Sequence, residues 1–386
     1  MNILQSFFNR MFTSVKPLPA GIYHYQSPPD AETQYRLHLR LEDDGCGVLI
    51  VNASIVLHLN HSAAEYAYYL VKGMPEQVIS EQMSRRFNVP ESQALLDFRD
   101  FKTSLESLIQ TPDLDPVGFL GFERKEPRSA SNLAPYRLDC AITYQVSDGN
   151  TDRVAPVNRV QRELIEEEWH QILDKAWGAG IPHVVFTGGE PTLRPDLAGL
   201  ITHSEKLGMV TGLLTDGLRL TNPGYLHEML ASGLDHVMLV MQPDEEQSWE
   251  ALRDLLPEDI HITVHLTLTE DNHASKEAVI HRLKEMGVTS LSISAASTDL
   301  GPSLTQAANI AAEEDLTLVW DLPVPYSSIN PVALDLEENG AITDPQGLNA
   351  LYIEPDGDVL HAQGQPKVLG NLLKDEWQTI WNNARS

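Results

Sequence analysis

The alternation of apolar and polar positions divides the chain into three blocks, and the first contains strand and helix patterns in succession. Leu37, Leu39 and Leu41 alternate with polar residues, which is the periodicity of a half-buried strand. Two more short apolar runs follow, and then three segments with apolar residues at helical spacing. This order predicts a compact α+β domain of three strands and three helices over residues 35–110.

The second block, residues 136–328, alternates apolar strand segments with amphipathic helical segments, the last strand being Leu316–Asp321. Repeated β–α units favour a parallel sheet covered by helices. Six or seven such units suit an open, partial (β/α) barrel better than a closed eight-stranded one. In the third block, residues 329–386, the turn Pro355-Asp356-Gly357-Asp358 predicts a hairpin, and a closing helix follows it.

Two further segments complete the expected organisation. Residues 111–135 carry four prolines and should form an irregular linker. Residues 1–34 form an N-terminal segment whose first sixteen residues predict a short amphipathic helix, which packs on the body or docks on a membrane surface or partner. We therefore expect an α/β protein with a winged-helix-like α+β domain, a partial TIM-like barrel and a hairpin–helix extension.

Charge and cysteine content narrow the possible functions. Lys and Arg number 27 and Asp and Glu number 55, so the formal charge is −28. A surface this acidic repels phosphate backbones and anionic membranes, so neither is an expected partner. No apolar run is long enough for a transmembrane helix. The two cysteines, Cys46 and Cys140, exclude a disulfide framework and fit a cytoplasmic protein.

Candidate chemistry is expected where the strands of the second block end, because parallel α/β sheets bind ligands at that edge. Gly188, Gly189 and Glu190 follow the second strand, and Thr215 and Asp216 follow the third. Ser294 lies near the end of the sixth strand. Glycines allow close approach of a ligand to the backbone, and a carboxylate can hold an ammonium group, although each segment alone is also compatible with a simple turn.

Together these segments resemble the radical S-adenosylmethionine (SAM) superfamily. The stretch His183–Leu197, with its Gly-Gly-Glu-Pro sequence, is similar to that family's second strand and methionine-binding glycine motif. Gly212–Leu218 is similar to the third strand, with Asp216 where many members carry Asn. The resemblance implies a SAM pocket, and the residues that it assigns to the pocket are Gly188, Gly189, Glu190, Thr215, Asp216 and Ser294.

The flanking blocks carry resemblances of their own. Gly47–Ala53 and Leu57–Asn60 are similar to the precursor-peptide recognition domain fused to many enzymes that modify ribosomally made peptides (RiPPs). Ile353–Leu360, Leu369–Leu373 and the last tryptophans are similar to the SPASM-type extension, which holds auxiliary clusters. The three resemblances occur in the order expected for a peptide-modifying enzyme.

The sequence departs from the family at the cluster ligands. The family's C-x-x-x-C-x-x-C motif, whose thiolates hold a 4Fe–4S cluster, falls on Val146, Asn150 and Arg153. None is a thiolate, and the C-terminal block has no cysteine either. The 4Fe–4S cluster is therefore predicted to be absent, and Cys140 is interpreted as a core residue. Arg153 could fill the vacated volume beside Glu190 or Asp216, or could lie on an exposed loop.

Two hypotheses follow. In the first, the protein is a catalytically degenerate scaffold of RiPP maturation that binds a precursor peptide, and possibly an active maturation enzyme. An extended peptide would add to an exposed strand edge beside the third helix. The residues predicted to contact it are Ile55, Val56, Leu57, His58, Leu59, Leu95 and Phe98. In the second, the protein is an enzyme that keeps the SAM pocket, with atypical or no iron–sulfur ligation.

Overall fold

The computed structural model describes residues 15–28, 30–31, 33–52, 55–110, 134–147, 160–319 and 349–386. They belong to two compact units, Met1–Asn132 and Leu133–Ser386, each with its own hydrophobic core. The predicted N-terminal helix and most of the predicted linker lie outside the described residues. None of the described helices is long and apolar enough to cross a membrane.

The first unit is an antiparallel sheet with strand order β1-β2-β3-β4, followed by three helices. Its elements are β1 (Gly21–Gln26), β2 (Arg36–Leu41), β3 (Gly47–Val51), β4 (Ile55–Leu59), α1 (His61–Val71), α2 (Glu76–Phe87) and α3 (Glu91–Gln110). Strand β1 corrects the sequence prediction, which placed these residues in a separate N-terminal segment. It pairs along its whole length with β2, and its short run of alternating aromatic residues was too weak a signal to reveal that partner.

Local chemistry explains how the helices of the first unit begin and pack. The Asn60 side chain caps α1 by accepting a hydrogen bond from the Ala63 N–H at 3.0 Å. The Tyr66 hydroxyl of α1 donates to the Ala94 carbonyl of α3 at 3.1 Å. The carboxylate of buried Glu65 accepts hydrogen bonds from Nε and Nη2 of Arg86, at 2.5 and 2.6 Å. These contacts join α1 to α2 and α3 above the sheet.

The second unit is a ten-stranded sheet of order β11-β10-β9-β8-β7-β6-β5-β12-β13-β14. Its strands are β5 (Arg137–Thr143), β6 (His183–Gly188), β7 (Val210–Thr215), β8 (His236–Met241), β9 (His261–Leu268), β10 (Ser290–Ala295), β11 (Thr317–Leu318), β12 (Ala350–Ile353), β13 (Asp358–Leu360) and β14 (Gly370–Asn371). Its helices are α4 (Glu166–Gly178), α5 (Leu197–Leu207), α6 (Pro223–Ala231), α7 (Glu246–Leu255), α8 (Lys276–Met286), α9 (Gly301–Glu313) and α10 (Trp377–Ala384).

Strands β5 to β11 are all parallel and alternate with helices, which confirms the predicted partial barrel. Alternate side chains of each strand point to opposite faces. One set packs with the helices into the main core, and the other lines the inner face, where Val185, Leu214 and Met238 form a small cluster. Strand β11 is shorter than the predicted strand Leu316–Asp321, whose last residues lie outside the described part of the chain.

The C-terminal hairpin extends the barrel sheet. Strand β12 pairs in parallel with β5, and β13 and β14 continue the sheet in antiparallel fashion. The Lys175 ammonium of α4 donates to the Leu372 and Asp375 carbonyls, which holds the turn before α10 against the barrel. The predicted hairpin and closing helix are both present, and β12 covers what would otherwise be the open edge of β5.

Candidate functional site

The two glycines after β6 are needed by the protein's own backbone. A Cβ atom on Gly188, whose φ is +131°, would lie 2.1 Å from the Thr143 carbonyl oxygen. A Cβ atom on Gly189 would lie 2.0 Å from the carbonyl oxygen of Gln145. The Gly189 N–H donates to the Thr143 carbonyl at 2.8 Å. The sequence analysis expected a ligand to approach the backbone of these glycines closely. In the structure, the backbone at the end of β5 makes that close approach.

Glu190 joins the loops that follow β6 and β7. Its Oε1 atom accepts hydrogen bonds from the backbone N–H and hydroxyl of Thr192, at 2.9 and 2.5 Å, and from the Thr215 hydroxyl at 2.8 Å. Its Oε2 atom accepts from the Asp216 N–H at 2.8 Å. The carboxylate is only 3% exposed, so these four donors replace the water that it loses.

Burial and the nearby Asp216 carboxylate raise the pKa of Glu190 above its usual range. Asp216 itself accepts a hydrogen bond from the Ser147 hydroxyl at 2.5 Å and one from the Leu218 N–H at 2.9 Å. Ser147 lies after β5, so a continuous polar network crosses the ends of three neighbouring strands. The structure therefore brings Glu190, Thr215 and Asp216 together in one network of hydrogen bonds.

Ser294 lies apart from this network, on the inner face of β10. Its hydroxyl contacts His265 Nε2 at 3.0 Å and Thr267 Oγ1 at 3.2 Å. The Ser292 hydroxyl contacts His265 Nδ1 at 2.9 Å. His265 is fully buried.

The three positions of the missing cysteine motif are partly described. Val146 is half-buried and packs beside Tyr144, Tyr352 and Leu360. Asn150 and Arg153 lie outside the described residues, so both predicted positions of the Arg153 side chain stay open. Tyr144 lies two residues before Val146, and its hydroxyl donates to Glu354 Oε1 at 2.9 Å.

Cys140 occupies the middle of β5 and is fully buried in the core between the sheet and the helices. Burial raises the pKa of its thiol well above the usual range. Asp139 and Ala141, its neighbours in the strand, face the opposite side of the sheet. This placement agrees with the interpretation of Cys140 as a core residue.

Two buried hydroxyls at this end of the barrel are not among the site residues assigned from the sequence. Thr187 Oγ1, on the residue before Gly188, and Ser297 Oγ, after β10, are buried without a hydrogen-bond partner among the described residues. A buried hydroxyl without a partner costs free energy, so a ligand group or a bound water is expected there. The only sequence signal was the position of each hydroxyl beside the end of a strand.

The predicted peptide site lies in the first unit. On β4, Leu57 and Leu59 are buried, whereas Ile55, Val56 and His58 are half-buried. On α3, Leu95 is half-buried, but Phe98 is 2% exposed and packs against Tyr66 with ring centroids 5.9 Å apart. Phe98 therefore presents no surface to a peptide, and neighbouring Leu96, which is 54% exposed, is the accessible apolar residue.

Comparison with known proteins finds a family that this part of the barrel resembles. Residues 140–242 match the family model described as the radical SAM superfamily. This part of the chain is therefore similar to radical SAM domains. A relative, the PqqA peptide cyclase of Streptomyces rochei, is 37% identical over 99 residues, which are 25% of this chain and 27% of that protein. The chain thus matches only about a quarter of that relative's length.

Solved structures extend the similarity of fold beyond the radical SAM domain. Streptococcus suis SuiB bound to its precursor peptide SuiA superposes with a TM-score of 0.57 at 14% identity, over 89% of this chain and 86% of SuiB. SuiB bound to S-adenosylmethionine gives a TM-score of 0.55 at 14% identity, over 93% and 88% of the two chains. At this identity the match establishes the fold alone.

Proposed function

We propose that this protein is a catalytically degenerate radical SAM protein that recognises a precursor peptide and serves as a binding or scaffold component of RiPP maturation. The observation that carries the proposal is the position of Cys140, the single cysteine of the second unit. Its thiol is buried among apolar side chains, away from the ends of the strands. A 4Fe–4S cluster is held by cysteine thiolates, so the donor set does not fit one.

The retained Gly-Gly-Glu sequence is compatible with this loss of chemistry. Gly188 and Gly189 are required by contacts with the backbone of Thr143 and Gln145. Glu190 is held by four donors of the protein itself. These contacts stabilise the loops whether or not a cofactor binds, so the motif has a structural reason to persist after catalysis is lost.

The iron content of the protein tests the degenerate state. After anaerobic reconstitution with iron and sulfide, we expect a colourless protein without stoichiometric iron. A stoichiometric cluster with its visible absorption would refute the proposal. In that case Cys140→Ser shows whether Cys140 is a ligand of the cluster. The substitution abolishes the cluster only if Cys140 has moved out of the core to bind iron.

Peptide recognition is proposed at the edge of β4. Among the described residues, β4 pairs only with β3. The Asn52 N–H donates to the Arg36 carbonyl across β2 and β3, and this fixes the alternation of hydrogen bonds through the sheet. By that alternation, the backbone N–H and carbonyl of Val56 point away from β3, toward the edge that pairs with no other strand among the described residues.

An extended peptide can therefore pair with β4 through its backbone. The half-buried side chains of Val56 and His58, with Leu95 and exposed Leu96 on α3, are the proposed specificity contacts. SuiB, whose fold is similar, was solved in complex with its precursor peptide. By analogy, the ligand of this chain is a ribosomally made precursor peptide.

A matched pair of variants tests the backbone pairing. Val56→Pro removes one outward N–H and leaves the hydrogen bonds to β3 in place, whereas Val56→Ala keeps that N–H. Fluorescence anisotropy with labelled peptides encoded near this protein should show binding that Val56→Pro weakens at least tenfold and Val56→Ala changes less. Equal affinities for both variants, or no binding of any such peptide, would contradict the proposed site.

A second candidate function, binding of SAM without a cluster, is favoured by the two buried hydroxyls of Thr187 and Ser297. Both lie at the end of the barrel where the resemblance places the SAM pocket, and each lacks a hydrogen-bond partner among the described residues. Calorimetric titration of SAM should then give a saturable signal. Thr187→Val should weaken it, while Thr305→Val, at an exposed position of α9, should not. A flat titration of the unaltered protein removes this candidate.

A further inference from the structure

Two histidines meet at the amino ends of the barrel strands, opposite the radical SAM edge. His183 begins β6 and His236 begins β8, and their Nε2 atoms are 2.7 Å apart. Strand β7 lies between β6 and β8, and its residue Gly212 is paired with His236. A Cβ atom on Gly212 would lie 2.1 Å from His236 Cε1 and 2.4 Å from its Nε2. Because Gly212 has no side chain, the imidazoles of His183 and His236, which are on non-adjacent strands, can face each other.

The 2.7 Å separation of the two Nε2 atoms is that of a hydrogen bond, in which one Nε2–H donates to the lone pair of the other ring. The ring that accepts is therefore neutral, as a metal-binding imidazole must be. Arg137 lies near both rings, but it is paired with Asp139 through two hydrogen bonds, at 2.7 and 3.1 Å, which offsets its charge.

A third histidine lies in the same row. His261 is directly opposite His236 in the register of β8 and β9, and its side chain is exposed. Side chains on paired residues of neighbouring strands are close enough to contact a common ligand.

We propose that His183 and His236 form a binding site for a borderline divalent transition-metal ion such as Zn²⁺, with His261 as a third ligand. Neutral imidazole nitrogen is a preferred ligand of such ions. Two Zn–N bonds of about 2.0–2.1 Å at a tetrahedral angle place the nitrogens about 3.3 Å apart. The present separation of 2.7 Å therefore needs to open by only about 0.6 Å. The proton now shared by the two Nε2 atoms moves to Nδ1 of the ring that carries it, so both rings stay neutral when they bind the ion.

Calorimetric titration of the metal-stripped full chain with Zn²⁺ tests this site. We expect one saturable site per chain, weakened at least tenfold in His183→Gln and in His236→Gln. His227→Gln is the matched control, because His227 is an exposed histidine on α6 and its loss should leave the affinity unchanged. Gly212→Ala keeps both histidines but displaces His236, and it should weaken binding as well.

Tryptophan fluorescence verifies that each variant is folded, because all six tryptophans belong to the second unit. If one histidine variant does not fold, the other and Gly212→Ala still decide the question. The proposal is overturned if the protein binds no Zn²⁺, or if folded His183→Gln, His236→Gln and Gly212→Ala all bind it with unchanged affinity. The result is independent of the proposed function, since the ion site lies at the other end of the strands.

Discussion

Acidification should destabilise the second unit in part through the buried histidine His265. His265 is fully buried in β9, and both ring nitrogens contact hydroxyls, at 2.9 Å to Ser292, 3.0 Å to Ser294 and 3.1 Å to Thr267. Burial lowers the pKa of His265 from 6.5 to about 4. Hydroxyls can donate to or accept from a neutral ring, but they supply no negative charge to stabilise an imidazolium.

The sign and size of the effect follow from proton linkage. Between pH 6.5 and pH 4, the unfolded chain binds a proton at this residue and the folded chain does not, so the free energy of unfolding falls as the pH falls. From pH 7 to pH 5, a shift of this size costs about 2 kcal/mol. His265→Gln removes the ionisable group, so its stability should lose about 2 kcal/mol less over the same interval.

Urea titrations at pH 7 and pH 5 measure this difference. Tryptophan fluorescence reports the second unit alone, because no tryptophan occurs before residue 133. Comparing each variant with itself at two pH values cancels the loss of packing that the substitution causes. His227→Gln, which removes an exposed histidine, should keep the pH dependence of the unaltered protein. If His265→Gln shows the same loss between pH 7 and pH 5 as the unaltered protein, the reasoning is refuted.

Two further predictions concern packing in the two units. Gly189→Ala forces a Cβ atom to within 2.0 Å of the Gln145 carbonyl and should cost at least about 2 kcal/mol in urea unfolding, whereas Gly178→Ala, with nothing within 4 Å, should be nearly neutral. Equal effects of the two substitutions would refute this. A thiol reagent should label Cys46 rapidly and buried Cys140 only after unfolding, and labelling of two thiols in the folded protein would contradict the placement of Cys140.

The repeated β–α architecture was predictable because hydrophobic periodicity reports directly which face of an element is buried. The same holds for the Asn60 cap of α1 and for the hairpin of β12 and β13, whose signals lie within a few residues of one another. Strand β1 was missed, because a short strand is recognised mainly by its partner and β2 lies ten residues further on.

The candidate site was predictable in part. Glu190, Thr215 and Asp216 follow successive strands, and parallel topology alone brings such residues to one edge. What the glycines contact was not predictable, because the Thr143 and Gln145 carbonyls reach them only through the pairing of β5 with β6. Nor could the sequence show that Phe98 is buried and Leu96 exposed, since both are apolar residues of one amphipathic helix.

The sequence by itself determined that this chain has repeated β–α units with a radical SAM-like motif, two cysteines and no thiolate at the motif positions, since these are facts of composition and local pattern. Only the tertiary structure decided that Cys140 is enclosed in the core and that the Thr187 hydroxyl is buried without a partner among the described residues. The tertiary structure alone also decided the pairing of His183 with His236 across Gly212. Each depends on strand register and curvature, which decide which residues far apart in the chain surround a given side chain.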